Sequence, residues 1–316
     1  MKALKVSVVI PTYNRDKCLS ELLLCLYKQD YHSFEVLIID QSELLTSEKQ
    51  EIINHCPDYV KYYHIEDRGR SLAKNYGILY SEGDLILFCD DDILVPNNFI
   101  STHVSTYHRD KKIGAVSCRL VEDGQPAISV KRPLSTTAYG RLINVPYSTE
   151  SCYVTSLNGG NMSFRKEVLD EVGFFEEYFS GTSMVEEPDI AYRIIQIGYK
   201  IYFNASITVM HYPQHNGNIA EMKNKRADWF YFYFYNLSIF YLKYKRYTNM
   251  ILVLFYCLLL SIKHSVKYKL SGTDYLKMIS GYFKGFKRGV EISKLSFSRK
   301  YYTPVRLSKK GYSSLT

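Results

Sequence analysis

The 316-residue chain carries 40 Lys and Arg against 32 Asp and Glu, a formal charge of +8, with 46% hydrophobic and 23% charged residues. That is the make-up of a globular protein, long enough for one large α/β domain with an appendage or for two smaller domains. Its seven cysteines are odd in number and form no CxxC pair, which excludes a disulfide framework and a zinc site and leaves the reduced thiols of a cytosolic protein.

Charge is placed unevenly. From Lys243 onward, 16 Lys and Arg face two acids, Asp274 and Glu291, so this segment carries +14 and the first 242 residues −6. The split suggests a neutral-to-acidic catalytic or binding body and a basic tail that meets an anionic partner.

In chain order, Val6–Ile10 is a β-branched run and reads as a buried strand, too short for the apolar core of a signal peptide. Pro11 is expected to stop it, with Thr12, Tyr13 and Asn14 in a loop. Asp16 can cap a helix from about Lys17 to Gln29, where Leu19, Leu22, Leu23 and Leu26 fall at helical spacing. Phe34–Ile39 is a second strand ending in Asp40, and a helix follows near Ser47–His55. A third strand covers about Val60–Ile65 and a helix Ser71–Tyr80. Leu85–Phe88 is a fourth strand, which runs into Asp90, Asp91 and Asp92. Strands alternating with helices over this length predict βαβ units and a parallel sheet. No GxGxxG follows the first strand, so the dinucleotide fingerprint of an oxidoreductase is missing.

Pro96–Arg109 reads as a helix and Gly114–Val121 as a strand. Residues 122–152, with three prolines, read as a long loop or insertion. A Gly159-Gly160 turn precedes an extended Met162–Phe164 and a short helix Lys166–Val172. Glu186-Glu187-Pro188-Asp189 opens a helix that Gly198 stops, with Pro188 in the first turn where its missing donor is harmless. Ile207–Met210 is a strand ending in His211. Beyond Asn224 the character changes. Trp229–Tyr241 holds nine aromatics in 13 residues, and Met250–Ile262 is an apolar run of 13, short of the roughly 20 residues that span a bilayer. It predicts an interfacial, re-entrant or dimer-forming helix.

Three carboxylate groups therefore end strands or open a helix: Asp40, Asp90 to Asp92, and Glu186, Glu187 and Asp189. A parallel sheet gathers such positions at its carboxyl edge, where open α/β sheets bind ligands. Asp90 to Asp92 either form an acidic start to the next helix or hold a hard divalent ion on a diphosphate. Glu187 either stabilises the first turn of its helix or acts as a general base. His211 is either a satisfied buried histidine or a further metal ligand. Arg68, Arg70 and Lys74 either reach a diphosphate or form a solvated face. Asp40 either accepts from a nucleoside or merely ends a strand.

Seven segments, in order, resemble inverting glycosyltransferases of family 2, over about residues 5–215. They are Val6–Arg15, Phe34–Ser42, Ala73–Ile78, Asp90-Asp91-Asp92 as a DxD element, Asn158–Arg165, Glu186–Ile190 with Arg193 and Gly198-Tyr199, and His211. Three departures stand out: Glu187 where the base is usually Asp, Asp40-Gln41-Ser42 where Asp-Asp-Gly-Ser is usual, and Lys74 where Arg is usual, a fork replaced by a point charge.

The resemblance implies a glycosyltransferase A-type (GT-A) fold: an α/β protein with a mostly parallel sheet flanked by helices, here with a C-terminal helical appendage. Residues 1–224 would form the catalytic domain, with a nucleotide-binding half at 1–95 and an acceptor half at 96–224, and residues 225–316 an aromatic and basic helical tail. It implies transfer, with inversion, from a UDP-, GDP- or dTDP-sugar to a saccharide or lipid-linked acceptor, in cell-surface polysaccharide or glycolipid synthesis. Mg²⁺ or Mn²⁺ would sit on Asp90, Asp92 and His211, with Glu187 as base. Pro11, Thr12, Tyr13, Arg15, Asp40, Arg70, Lys74, Asn75, Asp90 and Asp91 would hold the nucleotide, and Gly159, Gly160, Asn161 and Glu186 the sugar or acceptor. The tail would either dock on an anionic membrane surface, making the protein peripheral on the cytoplasmic face, or pack on the body or on a second subunit of a homodimer. A non-catalytic nucleotide-sugar-binding protein of the same fold is the alternative. A nucleic-acid-binding role for the basic tail leaves the acidic cleft unexplained, so no nucleic acid is expected.

Overall fold

The computed structural model describes residues 3–44, 46–137, 142–181, 183–212, 226–244 and 246–294. Residues 213–224, which close the expected catalytic domain, and the last part of the basic tail, 295–316, lie outside them.

The first half alternates as its pattern requires: β1 (Val6–Thr12), α1 (Asp16–Leu26), β2 (Phe34–Asp40), α2 (Ser47–Asn54), β3 (Val60–His64), α3 (Arg70–Tyr80) and β4 (Leu85–Cys89). The four strands are parallel in the order β3–β2–β1–β4. Successive strand residues go to opposite faces. Val6, Val8 and Ile10 join Leu19, Leu22 and Leu26 of α1 in one core, whereas Val9 joins Ala73 and Tyr76 of α3 in the other. Pro11 does not end β1. It costs one donor, but pairing continues through Thr12, whose carbonyl accepts from Gln41 N at 3.0 Å. Asp16 is not a cap; it lies in the first turn of α1 and pairs with Lys49 Nζ at 3.0 Å.

The second half adds β5 (Ile93–Leu94), α4 (Phe99–Arg109), β6 (Ile113–Val121), β7 (Leu134–Thr136), β8 (Leu142–Asn144), β9 (Cys152–Val154), β10 (Asn161–Arg165), α5 (Lys166–Val172), α6 (Glu186–Gln196) and β11 (Lys200–His211). The sheet continues β4–β10–β6–β11–β5, with β10 antiparallel to both its neighbours and β9 antiparallel on β11. The sheet is thus mixed: parallel through β3–β2–β1–β4 and at β6–β11, antiparallel where β10, β9 and β5 join. The stretch expected to be a loop at 122–152 holds β7 and β8, which pair as a small separate sheet.

Three helices end the described chain: α7 (Arg226–Lys243), α8 (Tyr247–Tyr268) and α9 (Gly272–Lys294). Helix α7 is apolar nearly all round, a pattern that demands burial, and it does not hang free of the body. Asn236 Nδ2 donates to Ser180 O at 2.9 Å and Met184 O at 3.0 Å, and Asn236 Oδ1 accepts from Ser180 N at 2.9 Å. Lys243 Nζ, fully buried, meets Glu176 Oε1 at 2.8 Å and Asp189 Oδ1 at 2.7 Å. Gly281 and Gly285 let α9 settle directly on the carbonyls of Tyr231 and Tyr235, where any Cβ would collide. Helix α8 corrects the 13-residue expectation. Its stretch Asn249–Tyr268 is 20 residues, long and apolar enough to cross a membrane by length and composition. Ile251, Phe255, Leu259, Ile262 and Val266 lie exposed along it.

Candidate active site

The register of the sheet builds the site. Val9 of β1 stands opposite Phe88 of β4, so three residues further on Thr12 meets Asp91. Thr12 Oγ1 donates to Asp91 Oδ2 at 2.7 Å. Arg15 Nη1 bridges Asp91 Oδ1 and Asp92 Oδ2, both at 2.8 Å, which lets two adjacent carboxylates stay close. Burial pushes the Asp91 carboxyl up to about 6, against the pull of Arg15. Arg70 Nη2 lies 3.4 Å from Asp90 Oδ2. At the far side of the sheet β11 pairs with both β6 and β5, so His211 falls between Glu122 and Asp92. Its Nδ1 lies 3.1 Å from Glu122 Oε1 and its Nε2 3.3 Å from Asp92 Oδ1. Burial disfavours the charged imidazole, but Asp92, Asp90 and Glu122 together raise its pKa.

Strand β10 brings in the glycine turn. Asn161 pairs with Cys89, and Asp90 N donates to Gly160 O at 3.2 Å. A Cβ at Gly160 would stand 3.0 Å from Asp90 Oδ2, and one at Gly159 would collide with Glu187 Oε1. The two glycines are the space between the two carboxylates. Glu187 is delivered by α6, whose N-cap Val185 sits at φ 86°, a left-handed conformation that a β-branched residue adopts only under constraint. Burial, then the neighbouring Glu186, push the Glu187 carboxyl up to about 7, with Lys74 and Arg70 pulling the other way. Such a carboxyl titrates where a general base is useful.

These groups line one cleft of about 820 Å³. Its floor holds Arg15, Arg70, Asp90, Asp92, Glu122, Glu187 and His211. The lining also includes Leu142, Ile143, Met184 and the tail residues Trp229, Phe230, Tyr233, Tyr256, Leu260 and His264, most of them apolar or aromatic. Glu122 and this apolar lining were missed by the sequence reading. Glu122 follows the predicted strand Gly114–Val121 directly, which was signal enough.

Several expected site residues face inward instead. Asp40 is fully buried: its Oδ1 accepts from Ser42 N at 2.9 Å and Ser42 Oγ at 2.5 Å, its Oδ2 from Tyr62 OH at 2.6 Å and Lys49 Nζ at 2.8 Å. No lone-pair direction is left for a nucleobase. Lys74 and Glu186 form a buried ion pair with each other, with Ser71 Oγ donating to the same carboxylate. Asn75 ties α3 to the 175–177 loop through Phe175 O and N, both at 2.9 Å, and Glu177 Oε1 at 3.0 Å. Asn161 lies beneath the site, its Oδ1 3.1 Å from His103 Nε2. Burial holds that imidazole neutral, down at about 4. Pro11 lies inside β1, and the Tyr13 ring lies 4.8 Å under the Arg68 guanidinium.

Among the described residues no three acidic, His or Cys side chains are gathered into a ready metal cage. Asp90, Asp92 and His211 are neighbours rather than a cage, because Asp90 turns to Arg70. The donor chemistry nevertheless fits a hard divalent ion. Asp92 Oδ1 is buried with no hydrogen-bond partner, an oxygen still open to a cation beside an imidazole nitrogen.

The mixed sheet with helices on both faces and an acidic cleft at its carboxyl edge has the GT-A type architecture. Two solved structures share the architecture: S. aureus TarS 1–349 in complex with UDP-GlcNAc (TM-score 0.62, 16% identity, 91% of this chain and 83% of that one) and the mannosyltransferase PcManGT from Pyrobaculum calidifontis with GDP-Man and Mn²⁺ (0.57, 18%, 92% and 88%). The family model described as glycosyl transferase family 2 matches residues 7–173, and the chain belongs to that family. Among curated relatives, a Methanococcus voltae dolichyl N-acetyl-alpha-D-glucosaminyl phosphate 3-beta-D-2,3-diacetamido-2,3-dideoxy-beta-D-glucuronosyltransferase is 23% identical over 223 residues, 66% of this chain and 67% of its own length. Of several others the chain spans only about a fifth of the length.

Proposed function

We propose that this chain is an inverting transferase that moves a sugar from a nucleotide-sugar donor to an acceptor hydroxyl, in building cell-surface polysaccharide or glycolipid. The observation that carries the reading is the placement of Glu187 and Asp90 on the two sides of Gly159-Gly160. The donor diphosphate lies over Asp90 and Asp92, with Arg15 and Arg70 as cationic neighbours. The acceptor hydroxyl lies at Glu187, which takes its proton as the new oxygen–carbon bond forms on the face opposite the departing diphosphate. Asp92 and His211, with Asp90, would hold Mg²⁺ or Mn²⁺, which when bound supplies positive charge to the leaving group. The structural neighbours with UDP-GlcNAc and GDP-Man support a nucleotide-sugar donor, taken here as a UDP-, GDP- or dTDP-sugar, and the relatives support a saccharide or lipid-linked acceptor.

The direct test is a thermal melt with each nucleotide sugar in Mn²⁺ and in EDTA. A ligand that binds the native state raises the melting temperature, by an amount that grows with its concentration. We expect at least one donor to do so in Mn²⁺ and far less in EDTA. A rise indifferent to EDTA removes the metal from the site, and no rise with any donor removes the donor class.

The exposed stripe on α8, beside Lys263 and Lys267, supports a peripheral seat on an anionic membrane surface. Deleting residues 225–316 is no control for this, since α7 is part of the body. We expect the full chain to float with phosphatidylglycerol vesicles, and a Phe255→Asp, Leu259→Asp variant to remain at the bottom of the gradient. A wild-type chain that stays down sinks the membrane seat.

A further inference from the structure

We infer that the acceptor is a saccharide carried on a lipid phosphate, and that α7 and α8 form its lipid-phosphate subsite. The inference rests on the transferase reading and names the acceptor class of the same cleft. The lining of that cleft is of two kinds. Besides the carboxylates, Trp229, Tyr233, Tyr256 and Leu260 present aromatic and aliphatic carbon. Along α8, Tyr256, Leu260 and His264 recur every four residues, so one face of the helix lines the cleft. Phe255, Leu259 and Ile262 on the remaining surface are exposed. A hydrocarbon chain resting on the outer face of α8 therefore has an apolar path along the same helix into the cleft. From His264 to Tyr256 that path rises about 12 Å.

Cations stand near the His264 end of this lining. His264 lies tilted against Phe230, ring centroids 4.3 Å apart, and stacks on Tyr268 at 5.5 Å. Lys263, Lys267 and Arg226 all act electrostatically on His264, and the Arg226 guanidinium lies 3.7 Å over the Tyr268 ring. His264 Nδ1 is itself buried with no hydrogen-bond partner. A phosphate between a hydrocarbon chain and a sugar matches this combination of apolar lining, nearby cations and carboxylates. A free saccharide would pack on the aromatic rings but leave the exposed apolar face of α8 and the cations without use. The transfer itself is unchanged: an oxygen–carbon bond forms at a hydroxyl of the carried saccharide, Glu187 receives the proton, and the nucleoside diphosphate leaves.

Trp229 is the chain's one tryptophan and stands in this lining, so its emission reports the subsite directly. The full chain is titrated with dodecyl phosphate, dodecanol and inorganic phosphate, each below the concentration at which it aggregates. The expected result is a saturable change with dodecyl phosphate, at least tenfold tighter than with either half alone, and weakened at least tenfold in Leu260→Asp and in a Lys263→Glu, Lys267→Glu double variant. Tyr256→Ala is the second groove variant, should Leu260→Asp fail to fold. Equal responses to inorganic phosphate or to dodecanol, no response at all, or indifference to all these variants overturns the subsite. Donor binding in Mn²⁺ is measured on the same samples. Its presence without the Trp229 response rejects this inference and leaves the transferase reading standing, whereas its absence rejects the transferase reading.

Discussion

Replacing Glu187 by Gln lowers turnover about a thousandfold and leaves donor binding in place. The amide keeps the size of the side chain and its packing over Gly159 but cannot accept the proton of an attacking hydroxyl. The wild-type pH profile carries the same signature. Burial and Glu186 raise the Glu187 carboxyl to about 7, and only its ionised form is a base. The ratio kcat/KM, which reports the free enzyme, therefore climbs as pH rises through about 7 and levels off above it. The residual rate of Glu187→Gln lacks that climb. Glu187→Asp, a carboxylate on a shorter arm, restores the climb at a reduced plateau. Unchanged turnover in Glu187→Gln with intact donor binding would falsify the assignment.

Lys243→Ala destabilises the fold by about 3–5 kcal/mol. The Lys243 ammonium is buried between Glu176 and Asp189, and Asp189 also accepts from Arg193 Nε at 3.0 Å and Tyr244 OH at 2.8 Å. Removing the cation leaves two buried carboxylates with one guanidinium between them. Urea unfolding should show the loss as a lower midpoint. A change under 1 kcal/mol would mean that α7 is held by its aromatic contacts and the Asn236 hydrogen bonds rather than by this ion pair. Lys243→Met, which restores apolar volume but no charge, separates the two contributions.

The parallel half of the fold was legible because its residues speak locally. Val6–Ile10, Phe34–Ile39 and Leu85–Phe88 are β-branched or aromatic runs with turn residues at both ends, and each became a strand extended by one or two residues. The early part of β11 was not legible. Lys200–Asn204 mixes charge, aromatics and an amide, and its pairing with β6 shifts register between Asn204 and Thr208. In the site, Asp90, Asp92, Glu187 and His211 could be placed in one cleft because each follows a strand or opens a helix. Asp40, Lys74, Asn75 and Asn161 are engaged with the protein itself, which the sequence did not show for a single reason. Their partners (Lys49, Glu186, the Phe175 backbone and His103) come from other parts of the chain, and sequence spacing does not reveal those contacts. The apolar lining was hidden differently. Trp229–Tyr241 is apolar all round, which signals a helix buried in its own body, but its basic surroundings pointed outward to a membrane.

Strand β10 is bonded on one edge to β4, which carries the Asp90 end of the cleft, and on the other to β6, which leads to Glu122. Among the described residues the strands on either side of β10 are therefore joined by two backbone ladders, and moving them apart would tear both.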